Sequence, residues 1–304
     1  MGSRLVVRDF SDDDVARVRA LTDAAEAATG IVPLGDDAWT GMHTMAGRDR
    51  GVFDESGHGY AHVARHHDDE WSIELVARPG AAVDLDALLT DAVDVVAAEG
   101  GGHVTYWVHG TEGDRDAETR ATGAGFVAER DLLQMRVPLP LADAPRWPEG
   151  TTVRTFRVGE DEAAWVQVNN RAFAGHPEQG AWTVDMLRAR EQEDWFDPEG
   201  FVLAFDADGL AGFCWTKVHP AQPPREPDAL GEIYVIGADP SRHGRGLGRA
   251  LTSAGLASLA ERGITIGMLY VDADNEAAVG LYRALGFVTH RTDRAYGRDV
   301  RAAS

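Results

Sequence analysis

The sequence predicts an α/β fold on mixed sheets, laid out as two related domains in tandem. Three observations carry this reading. Strand-like runs alternate with amphipathic helical runs through the second half, a pattern that wraps helices around a partly parallel sheet. A Pro-rich break, Val137-Pro138-Leu139-Pro140-Leu141-Ala142-Asp143-Ala144-Pro145-Arg146-Trp147-Pro148, continues neither a helix nor a central strand and divides the chain near its middle. The segments on either side echo one another, and 304 residues exceed the ~100–200 usual for one domain.

The echo runs from opener to closer. Val7-Arg8-Asp9-Phe10 matches Val153-Arg154-Thr155-Phe156, and an acidic, Ala-rich helical stretch follows each. Tyr106-Trp107-Val108-His109 matches Leu269-Tyr270-Val271-Asp272, and Gly125-Phe126-Val127 matches Gly286-Phe287-Val288. The expected layout is a diverged, non-catalytic first domain at 1–137, a linker at 138–150 and a catalytic second domain at 151–304. Within the second domain a strand is expected at 151–156, then helices at 160–173 and 183–192. Strands near 200–206 and 210–218 flank the turn Asp206-Ala207-Asp208-Gly209. A loop from Pro220 to Pro227 leads to the strand Glu232–Ile236. A helix at 246–262, a strand at 266–271, a helix at 275–285 and closing strands complete the domain.

Composition excludes several classes. No apolar run reaches the ~18–20 residues of a membrane span, and Met1–Arg8 shows no signal-peptide core, so a cytoplasmic protein is expected. A net charge of −21 argues against nucleic-acid binding, which needs a basic face, and suits a cationic or amine substrate. The lone cysteine, Cys214, lies in the apolar run Gly212–Trp215 and reads as a buried structural thiol. Of 29 Lys and Arg residues only Lys217 is lysine, which suits either chance retention or a site needing a compact ammonium. His58, His62 and His66 fall on a strand, where residues four apart lie ~13 Å from each other, so no metal site is expected.

Two segments carry chemistry. Glu232-Ile233-Tyr234-Val235-Ile236-Gly237-Ala238-Asp239-Pro240 leads into Ser241-Arg242-His243-Gly244-Arg245-Gly246-Leu247-Gly248-Arg249. A strand, a Gly-rich turn and a helix N-terminus form an anion cradle suited to a pyrophosphate, with Arg242, Arg245 and Arg249 at its rim. No Gly-Lys-Ser/Thr follows, and the third glycine of a dinucleotide fingerprint falls one residue early. The second segment, Asn275-Glu276-Ala277-Ala278-Val279-Gly280-Leu281-Tyr282-Arg283-Ala284-Leu285-Gly286-Phe287, places Ala278 and Tyr282 on one helix face. Taken alone, Tyr282 reads equally as a core residue of an amphipathic helix.

Together these segments resemble the acetyl-CoA signature of the GNAT acetyltransferases, acyl-CoA N-acyltransferases with the pattern Gln/Arg-x-x-Gly-x-Gly/Ala followed by Asn-x-x-Ala-x-x-x-Tyr-x-x-x-Gly-Phe. Gly246 and Gly248 fit the first pattern, with His243 at the Gln/Arg position, and the second is matched throughout. Val168–Gly180, Gly212–Pro220 and Leu230–Val235 further resemble the mycothiol synthase family, and the similarity spans the chain. The resemblance implies two tandem GNAT domains and acetyl transfer from acetyl-CoA to the cysteinyl amine of desacetylmycothiol. It also implies a small-molecule partner; with no Cys/His metal pattern in the sequence, no metal is expected, and the chain is expected to be a monomer.

By this resemblance the CoA-binding residues are Ile236, Gly237, Ala238, His243, Gly244, Arg245, Gly246, Leu247, Gly248 and Arg249, with Asn275, Glu276, Ala277, Ala278, Val279 and Gly280. Asp36, Glu178, Lys217, Glu232 and Tyr270 contact the substrate. Glu232 is the expected base and Tyr282 the expected acid or donor to the leaving thiolate. A second CoA site would fall on Leu75, Val76 and Ala77, but the first copy offers one glycine, Gly80, and then Asp84 where an anion belongs, so weak binding or none is expected. The alternatives are a GNAT enzyme acting on a protein N-terminus or another small amine, and a non-catalytic CoA sensor.

Overall fold

The computed structural model describes residues 5–303 apart from 36–37, 40, 43–47, 68, 111–114, 175–179 and 222–227, and the backbone alone of His67. Asp36 and Glu178 lie outside the described residues. In chain order the elements begin β1 (Leu5–Val7), α1 (Asp12–Thr29), β2 (Arg50–Phe53), β3 (Gly59–His67), β4 (Glu70–Ala77), α2 (Leu85–Ala98), β5 (Gly101–Val108), α3 (Arg115–Gly123) and β6 (Val127–Pro138). They continue with β7 (Thr152–Thr155), α4 (Glu162–Ala172), α5 (Val184–Arg190), β8 (Phe201–Asp206), β9 (Gly209–His219) and β10 (Leu230–Ala238). Last come α6 (Leu247–Glu261), β11 (Ile266–Asp272), α7 (Glu276–Ala284) and β12 (Val288–Arg301).

The chain divides into two compact units. The first takes Met1–Leu133, Asp272–Asp274 and Arg291–Ser304; the second takes Gln134–Val271 and Asn275–His290. This division differs from the boundaries expected from sequence. The Pro-rich break still follows β6, but that strand changes unit at Gln134, and the last residues of the chain count with the first unit. The reason is an open strand edge. β5 pairs in parallel with β4 on one side, and on the other the end of β12 fills the edge, from Arg294↔Val108 to Arg301↔Gly101. One long closing strand thus stands where several were expected.

In the first unit β1 to β4 form an antiparallel run and β5 joins in parallel. Helix α1 starts at a capping box between Ser11 and Asp14 and stops at Gly30, whose φ of +72° is left-handed. Trp71, Val104, Tyr106, Phe126, Tyr296 and Val300 pack into one core. Beside it sits a buried charge cluster. His109 Nε2–H donates to Glu74 Oε1 at 2.7 Å, and Nδ1 lies 3.2 Å from Asp293 Oδ2. The amides of Gly35 and Gly110 donate to Glu74 and Asp293, each at 2.8 Å. Burial disfavours an imidazolium here, yet Asp293 and Glu74 override it and raise His109 to about 9.

In the second unit the strand order is β6-β11-β10-β9-β8-β7, antiparallel from β7 to β10 and parallel between β10 and β11. Consecutive residues of β9 face opposite sides. Phe213 and Trp215 pack with Trp165 of α4, Trp215 stacking on Phe201 at 4.6 Å, whereas a methyl at Gly255 of α6 would lie 2.4 Å from Cys214 Sγ. Helices therefore cover both faces, as expected. Cys214 is fully buried, and burial pushes its thiol well above the usual range, which makes it an inert core residue. Of the evenly spaced histidines, His62 is buried between Tyr60 Oη (2.9 Å) and Asp49 Oδ2 (3.1 Å). Among the described residues no cluster of His, Cys, Asp and Glu could hold a metal ion.

Candidate active site

The site begins with a register defect. Along β9 and β10 the pairs run Glu232↔Lys217 and Ile233↔Thr216, then Val235↔Trp215, so Tyr234 is an extra residue. Such a bulge bends its strand and re-aims the side chains beside it. On the other side, parallel pairing with β11 stops at Ile233↔Leu269, although β10 runs on to Ala238 and β11 to Asp272. Among the described residues no strand pairs with Tyr234–Ala238 on that side. Backbone groups alternate along the strand, so Ile236 and Ala238 turn theirs to this open side, where their N–H groups can meet an extended ligand, while Gly237 pairs with β9.

Past the strand end lies the cradle. Asp239 accepts hydrogen bonds from the Ser241 hydroxyl (2.6 Å) and amide (3.0 Å), and its other oxygen accepts from Arg171 Nε at 2.8 Å. Ser241, together with Arg171, holds its carboxyl down at about 2, so it remains an anion that anchors the turn. Gly244 and Gly246 adopt φ of +79° and +83°, conformations that disfavour any side chain. Gly246 is the N-cap of α6 and supplies no capping side chain. The amides of Leu247, Gly248 and Arg249 thus open the helix without a protein acceptor at the cap, and the helix dipole adds positive potential there. Leu247 is itself buried and contributes backbone only.

Arg245 and Arg249 are exposed and make no hydrogen bond or ion pair among the described residues, which leaves both for an anion. Arg242 does not fit the expectation. It pairs with Asp206 at 2.9 Å and Asp208 at 3.3 Å, so the β8–β9 turn takes the guanidinium away from the cradle. His243 folds back, its Nε2–H donating to the Ala238 carbonyl at 3.2 Å.

Gly248 brings the second segment alongside, because a methyl there would lie 3.8 Å from Leu281 of α7. Asn275 caps α7 by accepting from the Ala278 amide at 3.1 Å. Asn275, Glu276 and Ala277 are exposed, Ala278 is half-buried, Val279 turns into the core and Gly280 is exposed. Tyr282 is 7 % exposed and its ring centroid lies 5.7 Å from that of Phe287. Its hydroxyl makes no hydrogen bond among the described residues. Burial, with Cys214 nearby, raises the phenol to about 12. It therefore keeps its proton at neutral pH and has a hydrogen bond to give.

The residues expected to meet the acceptor lie toward the other end of the same strands. Glu232 is 8 % exposed, and His219 Nε2–H donates to its Oε2 at 2.7 Å. Lys217, opposite Glu232, sits over the Trp195 ring at 5.0 Å and the Tyr234 ring at 5.7 Å. Tyr270, two residues beyond the partner of Glu232 on β11, accepts from Gln134 Nε2 at 2.7 Å. The structure thus groups Glu232, Lys217 and Tyr270 on one sheet face. Sequence reasoning missed His219, Trp195, Tyr234 and Gln134. Only His219 left a signal, standing two residues after Lys217 and so on the same side of a strand.

Among the described residues, the matching helix start of the first unit is built differently. Leu75, Val76 and Ala77 end β4 with Val76 buried, but Asp84 caps α2 by accepting from the Ala87 amide at 3.0 Å. A cavity of about 350 Å³ at that helix end is lined by Asp84, Asp86 and Asp116 beside Arg120, which pairs with Asp86 at 3.1 Å.

Residues 164–287 match the acetyltransferase (GNAT) family. The mycothiol acetyltransferase of Thermobispora bispora is 44% identical over 306 residues, spanning 98% of this chain and all of that protein. Those of Thermomonospora curvata and Geodermatophilus obscurus are 43% and 44% identical, spanning 94% and 98% of this chain and 94% and 99% of their own. Among solved structures, a GCN5-related N-acetyltransferase from Sphaerobacter thermophilus superposes with a TM-score of 0.74 at 23% identity, covering 99% of this chain and 97% of that one. A tandem GNAT protein from the clavulanic acid biosynthesis pathway gives 0.73 at 18%, covering 99% of each.

Proposed function

The chain belongs to the mycothiol acetyltransferases within the GNAT family, and we propose that it transfers the acetyl group of acetyl-CoA to the cysteinyl amine of desacetylmycothiol, giving mycothiol and CoA. It is an acetyl-CoA-dependent N-acetyltransferase; the roles of individual residues are our reading. The observation that carries it is the pairing of an uncapped, glycine-flanked helix N-terminus with a buried carboxylate on the adjoining strand.

Acetyl-CoA supplies the activated acetyl group. The amides opening α6, with Arg245 and Arg249, hold its phosphates, and the unpaired edge of β10 at Ile236–Ala238 lines its amide arm. N–H groups of that edge also donate to the oxygen on which charge develops. Glu232 removes the ammonium proton, directly or through one water, because a protonated amine has no lone pair to attack with. Lys217, held by Trp195 and Tyr234, and Tyr270 meet the hydroxyl-rich acceptor. Asp36 and Glu178 lie outside the described residues and carry no part of this reading. No covalent enzyme intermediate is needed, since holding both reactants in one cleft supplies much of the rate.

Tyr282 acts as a donor to the departing thiolate. Its phenol at about 12 stands above an ordinary thiol at ~8.5, so full proton transfer would be uphill by roughly 4–5 kcal/mol while a hydrogen bond carries no such penalty. Tyr282→Phe should slow kcat by about 10- to 100-fold and leave acetyl-CoA affinity within about twofold, a split consistent with loss of one preorganised donor. Wild-type kcat in that variant, or a loss of acetyl-CoA binding matching the loss of rate, would remove this role.

The function itself is tested by thiol release from acetyl-CoA with and without desacetylmycothiol, the product confirmed by mass. Release that depends on that acceptor supports the proposal. Equal release with peptide amines or simple amino sugars would point to the wider amine acetyltransferases.

A further inference from the structure

We propose that His219 is the positioning residue of the base: it pins one oxygen of Glu232, and its own protonation switches the carboxylate off. This rests on the reading of Glu232 as the base. Three observations carry it. The carboxylate is buried, with 11% of its side chain exposed, and Glu232 faces the imidazole at 2.7 Å. An ionised carboxylate only accepts, so the hydrogen in this contact belongs to His219 Nε2, and the contact ties Oε2 while leaving Oε1 to the acceptor. The imidazole side chain is 28% exposed and so borders solvent.

The two residues are brought together by strand register. Glu232 lies opposite Lys217, and His219 is two residues further along β9, on the same face and diagonal to the carboxylate. Among the described residues, the titratable and charged groups on this face are Lys217 from β9, Tyr234 from β10, Tyr270 from β11 and, through Gln134, Arg136 from β6. The turn at Pro198–Gly200, which also packs on β9, carries the ion pair of Asp197 with Arg262 at 2.8 Å.

Two consequences follow. With His219 neutral, its Nε2–H orients the carboxylate and leaves its basicity in place. With His219 protonated, a positive charge sits one hydrogen bond away, favours the carboxylate anion and weakens it as a base. The acid side of the rate profile then belongs to the pair rather than to Glu232 alone.

The test compares His219→Gln, which keeps an N–H donor and cannot titrate, with His219→Ala, which has none. Rates are measured on the full chain with acetyl-CoA and desacetylmycothiol from pH 6 to 9. At pH 8.5 the glutamine variant should keep kcat within about threefold, and the alanine variant should lose about 10- to 100-fold at unchanged KM for acetyl-CoA, the scale of a misplaced base. As pH falls from 8 to 6, the ratio of H219Q to wild-type kcat/KM should rise about fivefold or more, since a one-proton titration changes a rate up to tenfold per pH unit. The ionisation of the substrate amine is common to both enzymes and cancels from that ratio. A ratio independent of pH overturns the switch, and wild-type kcat in H219A overturns the positioning role. Glu232→Gln, run alongside, separates the failures: wild-type activity there removes the base itself, whereas its loss together with a flat H219Q ratio removes only His219.

Discussion

Glu232→Gln is expected to lower kcat at pH 7 by about 10²- to 10⁴-fold, the range measured when a positioned general base is removed. The substitution keeps shape and volume, and the amide oxygen still accepts from His219, so the strand and its bulge stay in place. What disappears is the lone acceptor of the ammonium proton. An α-amino group has a reference value near ~8, so about a tenth of it is neutral at pH 7 and most of it at pH 9. The variant should therefore recover up to about tenfold relative to wild type between pH 7 and pH 9, because solvent has by then done the work of the base. Acetyl-CoA affinity should not change, since Glu232 precedes the unpaired edge of β10 and stands apart from the α6 cradle. Steady-state rates across that range with a calorimetric titration of acetyl-CoA decide the matter, and a rate equal to wild type at pH 7 would rule Glu232 out.

The second large effect concerns the end of the chain. A protein stopped after His290 should lose the folded first unit while keeping the second able to bind acetyl-CoA. The deleted strand carries the Asp293 carboxylate beside His109, the Arg294–Asp131 pair at 2.6 Å, and the buried side chains Ala295, Tyr296 and Val300. Breaking a buried charge pair by removing one partner costs about 3–5 kcal/mol, and each large apolar side chain withdrawn from a core costs about 1.5–3 kcal/mol. Together these approach the ~5–15 kcal/mol that holds a domain folded. The deletion also bares the edge of β5 from Gly101 to Val108. Hydrogen exchange read by peptide mass is the measurement. Protection should vanish in β3, β4 and β5 and persist in β8 to β10; protection retained at 101–108 would show that the last strand is dispensable.

That prediction depends on something the sequence did not disclose. The repeat of Gly125-Phe126 at Gly286-Phe287 suggested that each copy closes on its own final strand. Yet β12 pairs its second half with β5, nearly two hundred residues earlier, and β6 passes from one unit to the other at Gln134. Both copies carry the same opener, meander and closing strand, so local pattern is satisfied whichever β5 edge the final strand fills. Only side chains brought from far apart, such as Asp293 against His109, separate the two arrangements.

By itself the sequence determined what is encoded within a few residues. The positive φ of Gly244 and Gly246 needs glycine, the cap of α7 needs Asn275, and the alternation of strand and helix needs only local periodicity. These features single out the Gly-rich turn, the strand at Glu232 and the helix of Tyr282 before any tertiary contact is considered. Tertiary structure alone decided how neighbouring charges are spent. Arg242, one of three expected at the cradle, is drawn off by Asp206 and Asp208, while Lys217 is fixed by Trp195 and Tyr234. Asp84 caps α2, and His219 binds the Glu232 carboxylate. The physical reason is range: backbone preferences act over a single turn, but the partner of a charge depends on strand register, and a slip of one residue would turn Glu232 away from both His219 and Lys217.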